Sequence, residues 1–235
     1  MAPILAHRFD KKPIVISLGG SILVQEHIDV AYIKKFNDFI RRQVKNGRRF
    51  IIITGGGRIA REYQQAASAV RKVSNFDKDW IGIHATRLNA QLLRTVMADI
   101  CTHVVIDKRK KLQRLTKPVA FGSGWRPGAS TDHVSVSIAI DYGAEVIINA
   151  SNIDHVYSAD FRKDKTAQPF NNLTWKQYRA LVPKEWKPGL SSPIDPVAAR
   201  LAERHKIQAI VVKGNDLENF ERLVTGKHFS GTIIG

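Results

Sequence analysis

The sequence predicts an α/β fold, a three-layer sandwich with a largely parallel central sheet. Continuous apolar runs that end in glycine, at Pro13–Leu18 and Arg49–Thr54, are typical of strands buried on both faces. Amphipathic stretches follow these runs, as at Ile28–Val44, where Tyr32, Phe36 and Ile40 recur at helical spacing. Strands joined by helices form parallel sheets with helices on both faces.

The same alternation continues along the chain. The further predicted helices are Arg58–Val73, Trp80–Ile100, Asp132–Tyr142, Thr174–Leu181, Pro196–His205 and Asp216–Val224. The further predicted strands are His103–Ile106, Val119–Phe121, Glu145–Asn149, Gln208–Val212 and Gly231–Ile234. No linker rich in Pro, Gly or Ser interrupts the chain, which predicts a single domain over residues 1–235.

Composition limits the class of protein. With 43% hydrophobic and 25% charged residues, the chain has the profile of an ordinary globular domain. The single Cys101 excludes an internal disulfide and predicts a buried thiol in a reducing compartment. We find neither a signal-peptide pattern in Met1–Asp10 nor a run of roughly 20 apolar residues, so we expect a cytoplasmic protein without a membrane partner.

The net charge of +16 favours an anionic partner. The basic residues are dispersed, and the densest groups, such as 108–111, are typical of a solvated surface. No zinc-ligand spacing or aromatic RNA-binding motif accompanies them, so we do not expect specific nucleic-acid binding.

Two glycine-rich segments follow predicted strands. Gly19-Gly20-Ser21 comes directly after the first strand, and Gly55-Gly56-Gly57 opens the helix after the second. Glycine lets the backbone approach a phosphate, and a helix N-terminus attracts anions. Tight packing of strand against helix also favours glycine. Neither segment fits the P-loop or G-x-G-x-x-G patterns, so mononucleotide binding would require another architecture.

Several segments together resemble archaeal-type UMP kinases of the amino-acid-kinase superfamily. The similar segments are 18–21, 55–63 (GGGRIAREY), 81–90 (IGIHATRLNA), 126–132 (RPGASTD), 152–160 (NIDHVYSAD) and 193–196 (PIDP). They extend over most of the chain from Pro13 to Ile234. The resemblance implies the amino-acid-kinase fold and an enzyme that transfers the γ-phosphoryl group of ATP to UMP, giving UDP in pyrimidine nucleotide biosynthesis.

The resemblance assigns residues 1–142 to a UMP-binding lobe. It implies that Gly56, Gly57 and Arg61 hold the UMP phosphate, that Asp79 accepts a ribose hydroxyl, and that Thr131 donates to the acceptor phosphate. Each has a structural alternative, because Arg61 is typical of an exposed helix surface and Asp79 and Thr131 of helix starts.

The resemblance assigns residues 143–235 to an ATP-binding lobe. The residues expected at ATP are Gly19, Gly20, Ser21, Asn152, Asp154, Tyr157 and Asp160. The resemblance also places Asp195 beside the transferred phosphoryl group and Mg²⁺, with Asp132 orienting groups nearby. Asp195 before Pro196 is equally a helix cap. We predict no protein ligand set for a metal and expect Mg²⁺ to arrive with ATP.

Three positions depart from the family pattern. His155 replaces a glycine and Phe161 a proline in the expected ATP segment, and Ser17 stands where many superfamily members have a phosphoryl-stabilising lysine. Another cation must then neutralise the transferring group. The candidates are Arg126, Lys187 and Lys12.

Two alternatives remain open. One is a different small-molecule kinase of this fold, such as an isopentenyl phosphate kinase. The other is a catalytically weak nucleotide-binding regulator, suggested by Ser17 and the net charge. The resemblance also implies a homo-oligomer, a hexamer built from dimers.

Overall fold

The computed structural model describes residues 12–111, 114–185 and 192–235. Its β-strands in chain order are β1 Ile14–Leu18, β2 Phe50–Thr54, β3 Val119–Gly122, β4 Val146–Ser151, β5 Val156–Tyr157, β6 Pro169–Phe170, β7 Asn172–Leu173, β8 Gln208–Lys213 and β9 Thr232–Ile234. Its helices are α1 Gly20–Leu23, α2 Val30–Lys45, α3 Gly57–Val70, α4 Asn75–Val96, α5 Thr131–Tyr142, α6 Trp175–Leu181, α7 Pro196–Arg204 and α8 Leu217–Val224.

The central sheet has seven strands in the order β3-β2-β1-β4-β8-β9-β7. The five strands from β3 to β8 are parallel, β9 runs antiparallel to β8, and β7 runs parallel to β9. Strands β5 and β6 form a separate antiparallel pair. The prediction of a largely parallel sheet is confirmed.

Apolar clusters cover both faces of this sheet. On one face, Ile16 of β1 packs with Phe36 of α2, Leu93 of α4 and Phe220 of α8. On the other face, Val15 belongs to a cluster with side chains of α5, α6 and α7. Side chains of a strand alternate between faces, so β1 contributes to both clusters and the three-layer prediction holds.

Two sequence-based assignments differ clearly from the structure, and some short elements were not predicted. Residues 103–106 form no strand; only isolated bridges join Cys101 to Val119 and Ile106 to Gly122. The helix predicted from Trp80 begins at Asn75, because the Ser74 hydroxyl accepts the Asp77 N–H and caps it. The two-residue strands β5, β6 and β7 are too short for periodicity to reveal. Cys101 is buried, as predicted.

The loops after β1 and β2 touch backbone to backbone. A Cβ at Gly20 would lie 2.2 Å from the Gly57 nitrogen, and a Cβ at Gly57 would lie 2.4 Å from the Gly20 carbonyl oxygen. Gly57 also has φ +63°, which glycine adopts without strain. Side chains at these two positions would push the two loops apart.

We predict that Gly20→Ala destabilises the protein by about 3 kcal/mol or more, because backbone atoms must move to admit the methyl group. Gly82→Ala is the matched control. Its Cβ would meet only the Gln64 side-chain nitrogen, at 3.4 Å, and alanine in a helix is favoured by about 1 kcal/mol. Denaturant unfolding measures both free energies; equal values for the two variants would contradict the packing argument.

Candidate active site

Most of the predicted site residues that the structure describes lie near one edge of the sheet. Because β1, β2, β3, β4 and β8 are parallel, their carboxyl ends meet at this edge. The segments that follow these strands are 19–21, 55–57, 123–130, 152–155 and 214–216. Ligands of open α/β sheets bind at this edge.

The loop after β2 is fixed from the side of α4. The Asn89 amide donates to the carbonyl oxygens of Gly55 at 2.8 Å and Gly56 at 3.3 Å. A Cβ at Gly56 would lie 2.8 Å from that of Ala60, so packing alone requires glycine there. The N-terminal N–H groups of α3 have no acceptor within the helix and are available to an anion.

Arg61 lies one turn into α3 and is exposed. Within the described parts of the chain its guanidinium has no recorded ion pair or hydrogen bond. This position agrees with both the predicted phosphate contact and an ordinary surface arginine. The roles of Gly56, Gly57 and Arg61 at the UMP phosphate therefore remain predictions.

Asp79 is not the helix cap that the sequence allowed as an alternative. It lies inside α4, which starts four residues earlier, and its carboxylate accepts the Gly128 N–H at 2.9 Å. Burial raises the pKa of Asp79, and the hydrogen bond from Gly128 opposes the shift. Asp79 thus ties α4 to the loop before α5.

Thr86 was missed by sequence reasoning. Its hydroxyl accepts the Gly124 N–H at 2.8 Å, and its carbonyl oxygen accepts the Thr54 hydroxyl at 2.9 Å. Thr86 and Asn89 are both buried and lie three residues apart on one face of α4. Polar residues on a buried helix face must have partners, and this signal was present in the sequence.

Five side chains form a hydrogen-bonded cluster, here called the carboxylate junction: Ser17, Ser130, Asp132, Asn149 and Asp195. The Ser17 hydroxyl and the Asn149 amide donate to Asp132 Oδ1 at 2.9 and 3.1 Å. The Asp195 N–H donates to Asp132 Oδ2 at 3.3 Å, and the Ser130 hydroxyl donates to Asp195 Oδ2. The junction joins β1 and β4 to the N-termini of α5 and α7.

Of the two helix caps in the junction, Asp195 agrees with the sequence-based alternative, whereas α5 is capped by Ser130 and not by Thr131. Ser130 caps α5 by accepting the His133 N–H, and Asp195 caps α7 by accepting the N–H groups of Val197 and Ala198. Asp195 is only 4% exposed. The buried Tyr178 hydroxyl, which sequence reasoning missed, bonds both the N–H and the carbonyl of Ile194 and so fixes the approach to Asp195.

Asp132 has an unusual protonation equilibrium. Burial of its carboxylate and the nearby charge of Asp195 raise the pKa of Asp132 to about 7, although the hydrogen bonds from Ser17, Asp195 and Asn149 oppose the shift. Two carboxyl groups this close disfavour two negative charges. Near neutral pH the junction therefore gains or loses a proton easily.

The basic candidates lie in different places. Arg126 is exposed in the loop before α5. Burial lowers the pKa of His133, the charge of Asp195 raises it, and the charge of Arg126 lowers it further. Lys12 is wrong as a candidate, because it pairs with Glu145 at 3.2 Å at the amino end of β1, the opposite edge of the sheet. Lys187 lies outside the described residues.

Thr131 is the first residue of α5, and the capping role belongs to Ser130 instead. The Thr131 carbonyl oxygen accepts the Ser135 hydroxyl at 2.8 Å. Thr131 is half-buried beside the junction. Its predicted contact with the acceptor phosphate remains a prediction.

The predicted ATP segment after β4 is held by its own residues. Asp154 accepts the Tyr157 hydroxyl at 2.9 Å, and this bond lowers the pKa of Asp154 against the effect of burial. The Tyr157 and Phe161 rings lie 4.8 Å apart. His155 is not among the non-glycine residues with positive φ, so its backbone does not need glycine.

The remaining ATP candidates are exposed or only half-buried, or lie in the loop after β1. Asn152 and Asp160 are exposed, and Asp160 pairs with Arg162 at 2.9 Å. The Gly19 N–H donates to the Ala150 carbonyl at 2.8 Å, which joins the ends of β1 and β4. Ser21 is half-buried in the short α1.

We predict that the stability of the wild-type protein relative to Asp132→Asn falls as pH rises from about 5 to about 8. An unfolded aspartate titrates near 3.9, whereas folded Asp132 titrates near 7. The folded state therefore holds a proton that the unfolded chain has lost, and this stabilisation disappears as pH rises through 7. Thermal unfolding of both proteins across this range measures the difference.

Asp99→Asn is the control. Its partner Arg41 lowers the pKa of Asp99 to about 2, so Asp99 is ionised in both states over the same pH range. The difference in stability between the wild-type protein and Asp99→Asn should therefore not change with pH. If the stability of the wild-type protein relative to Asp132→Asn stays constant or rises with pH, the raised pKa of Asp132 is contradicted.

Among the described residues no helix is long and apolar enough to span a bilayer.

Comparison with known proteins gives a consistent result. The amino acid kinase family pattern matches residues 12–213. A uridylate kinase of Hyperthermus butylicus is 32% identical over 96% of this chain and 99% of its own length. A uridylate kinase of Archaeoglobus fulgidus is 36% identical over 94% of this chain and 99% of its own.

Comparison with solved structures gives the same result as comparison with sequences. The crystal structure of uridylate kinase from Archaeoglobus fulgidus matches with a TM-score of 0.81 and 34% identity, over 95% of this chain and all of that one. The UMP kinase of Bacillus anthracis, at 21% identity and a TM-score of 0.77 over 95% of this chain and 96% of that one, supports the fold alone. The chain belongs to the amino acid kinase family.

Proposed function

We propose that this protein is an ATP-dependent UMP kinase that produces UDP and ADP. The observation that carries the proposal is the similarity to uridylate kinases along nearly the whole chain, at 32–36% identity. It covers both glycine loops, α4 and the carboxylate junction, so the parts that would bind both substrates are included.

The chemistry needs little from protein acids and bases. A phosphate oxygen of UMP attacks the γ-phosphorus of ATP, a new P–O bond forms, and the bond to the β,γ-bridging oxygen breaks with its electron pair leaving on ADP. The attacking phosphate is already ionised near neutral pH, since its second pKa is about 6. The protein must therefore position two anions and neutralise their charge.

The acceptor side fits the loops near β2 and β3. The N–H groups at Gly56 and Gly57, with Arg61, would hold the UMP phosphate from the start of α3. Asp79 would accept a ribose hydroxyl while keeping its bond to Gly128. Thr131, at the start of α5, would donate to the same phosphate from across the cleft.

The donor side fits the loops after β1 and β4. Gly19, Gly20 and Ser21 would approach the ATP phosphates. The nucleoside would lie near Asn152, Asp154, Tyr157 and Asp160, with the Tyr157 ring beside the adenine. The tilted contact of the Tyr157 ring with the Phe161 ring would hold the Tyr157 ring in place.

Asp195 and Asp132 stand between the two sides. Asp195 accepts three hydrogen bonds from the protein, which leaves about one acceptor site on its carboxylate. This fits Mg²⁺, which keeps several waters and uses one or two carboxylates with substrate phosphates. When bound, Mg²⁺ would neutralise part of the phosphate charge. Arg126 and Lys187 remain proposed cations near the transferring group.

The larger organisation is part of the same proposal. Residues 1–142 would form the UMP lobe and residues 143–235 the ATP lobe. The protein would form a homo-oligomer, a hexamer by family resemblance. It would be located in the cytoplasm.

A substrate panel tests the function. With ATP and Mg²⁺, we expect kcat/KM for UMP to exceed those for CMP and isopentenyl phosphate by at least about tenfold, because a site built for one polar acceptor leaves buried groups unpaired with another. ADP release measures the rates. Comparable efficiency with isopentenyl phosphate would overturn the acceptor. Nucleotide binding without any turnover would favour the regulator instead.

A further inference from the structure

Phosphoryl transfer needs a cation at the transferring group, and Ser17 cannot supply one. The Ser17 hydroxyl is committed to Asp132. Lys12 lies at the opposite edge of the sheet. Removing one group that stabilises transition-state charge typically costs a factor of 100 to 1,000 in rate, so a replacement is required.

Strand register identifies which side chains share the surroundings of Ser17. Ser17 pairs in register with Asn149, and Asn149 with Val211. The Ser17 and Asn149 side chains both bond Asp132 of α5, and Val211 packs in the cluster on the same sheet face as α5 and α7. Ser17 and Asn149 of this row therefore belong to the carboxylate junction, and Val211 lies next to them on β8.

The next residue of β8 on this face is Lys213. Side chains two residues apart on a strand share a face, so Lys213 follows Val211 toward the carboxyl edge. It pairs in register with Ser151, which stands two residues beyond Asn149. Gly19 stands two residues beyond Ser17, so Gly19, Ser151 and Lys213 define the next row outward, at the edge where ATP is proposed to bind.

Distance favours a contact with the phosphates. Neighbouring strands lie roughly 4.8 Å apart, so Lys213 is about 10 Å across the sheet from Gly19. The four-carbon stem of lysine covers more than half of that span and carries a mobile ammonium. A phosphate held at Gly19–Ser21 would then lie within reach of Lys213.

The backbone at Lys213 is fixed by hydrogen bonds on both sides. The Gly214 N–H donates to the Ser151 carbonyl at 2.7 Å, and the Lys213 carbonyl accepts the Asp216 N–H at 3.2 Å. The side chain is exposed and has no recorded ion pair or hydrogen bond within residues 12–111, 114–185 and 192–235. Among the described residues, the fixed end of β8 thus carries a lysine without an ion-pair partner at the carboxyl edge of the sheet.

We propose that Lys213 binds the β- and γ-phosphate oxygens of ATP and supplies the cation that Ser17 does not. The proposal rests on the proposed kinase function for its catalytic part. Lys213 acts from the side of the donor, whereas Arg126 lies on the loop that Asp79 ties to α4, on the side of the acceptor.

The test compares Lys213→Met, Lys213→Arg and the control Lys12→Met, which removes a lysine from the far edge. We expect Lys213→Met to lower kcat about 100-fold and to weaken binding of a non-hydrolysable ATP analogue about tenfold, with KM for UMP within about twofold. Lys213→Arg should recover part of both losses because it keeps the charge. Lys12→Met should match the wild-type protein.

Calorimetric binding of the analogue separates this inference from the proposed function. If the wild-type protein transfers nothing to UMP but Lys213→Met still weakens analogue binding, the kinase proposal fails and the phosphate contact stands. If Lys213→Met leaves both turnover and analogue affinity unchanged, Lys213 has no part in the site. The exposed side chain makes misfolding of Lys213→Met unexpected, and thermal unfolding checks this.

Discussion

The carboxylate junction is the constraint on which the rest of the site depends. Two aspartates that cannot both carry a charge at low cost are joined by the hydrogen bond from the Asp195 N–H to Asp132. Ser17 and Asn149 donate further hydrogen bonds to Asp132, and Ser130 donates one to Asp195. Three of the junction's members come from residues 1–142 and two from residues 143–235. The junction therefore sets the N-termini of α5 and α7 against each other, and with them the distance between the two proposed substrates.

Much of this arrangement was predictable from sequence. The parallel sheet, the glycines at strand ends and the cap at Asp195 all follow from local rules of periodicity and capping, and the structure confirms them. Ser17 was noticed only as a missing lysine. A hydroxyl in an otherwise apolar strand must have a partner when it is buried, and that argument leads toward Asp132.

Other features depend on tertiary contacts that no local pattern contains. Tyr178 reads as an ordinary core aromatic, and only the fold brings its hydroxyl to Ile194. The glycine loops looked like phosphate sites, yet contacts between Gly20 and Gly57 already require glycine there. Lys213 stands out only once strand register places it in a row with Gly19 and Ser151.

The central claim is that the junction couples the two halves of the chain. A double-mutant cycle on Ser130→Ala and Asp195→Ala, measured by equilibrium unfolding, isolates the interaction between them from the separate caps that each residue makes. A hydrogen bond to a buried carboxylate predicts a coupling of about 1.5–3 kcal/mol. Free-energy changes that simply add, with a coupling near zero, would contradict the claim.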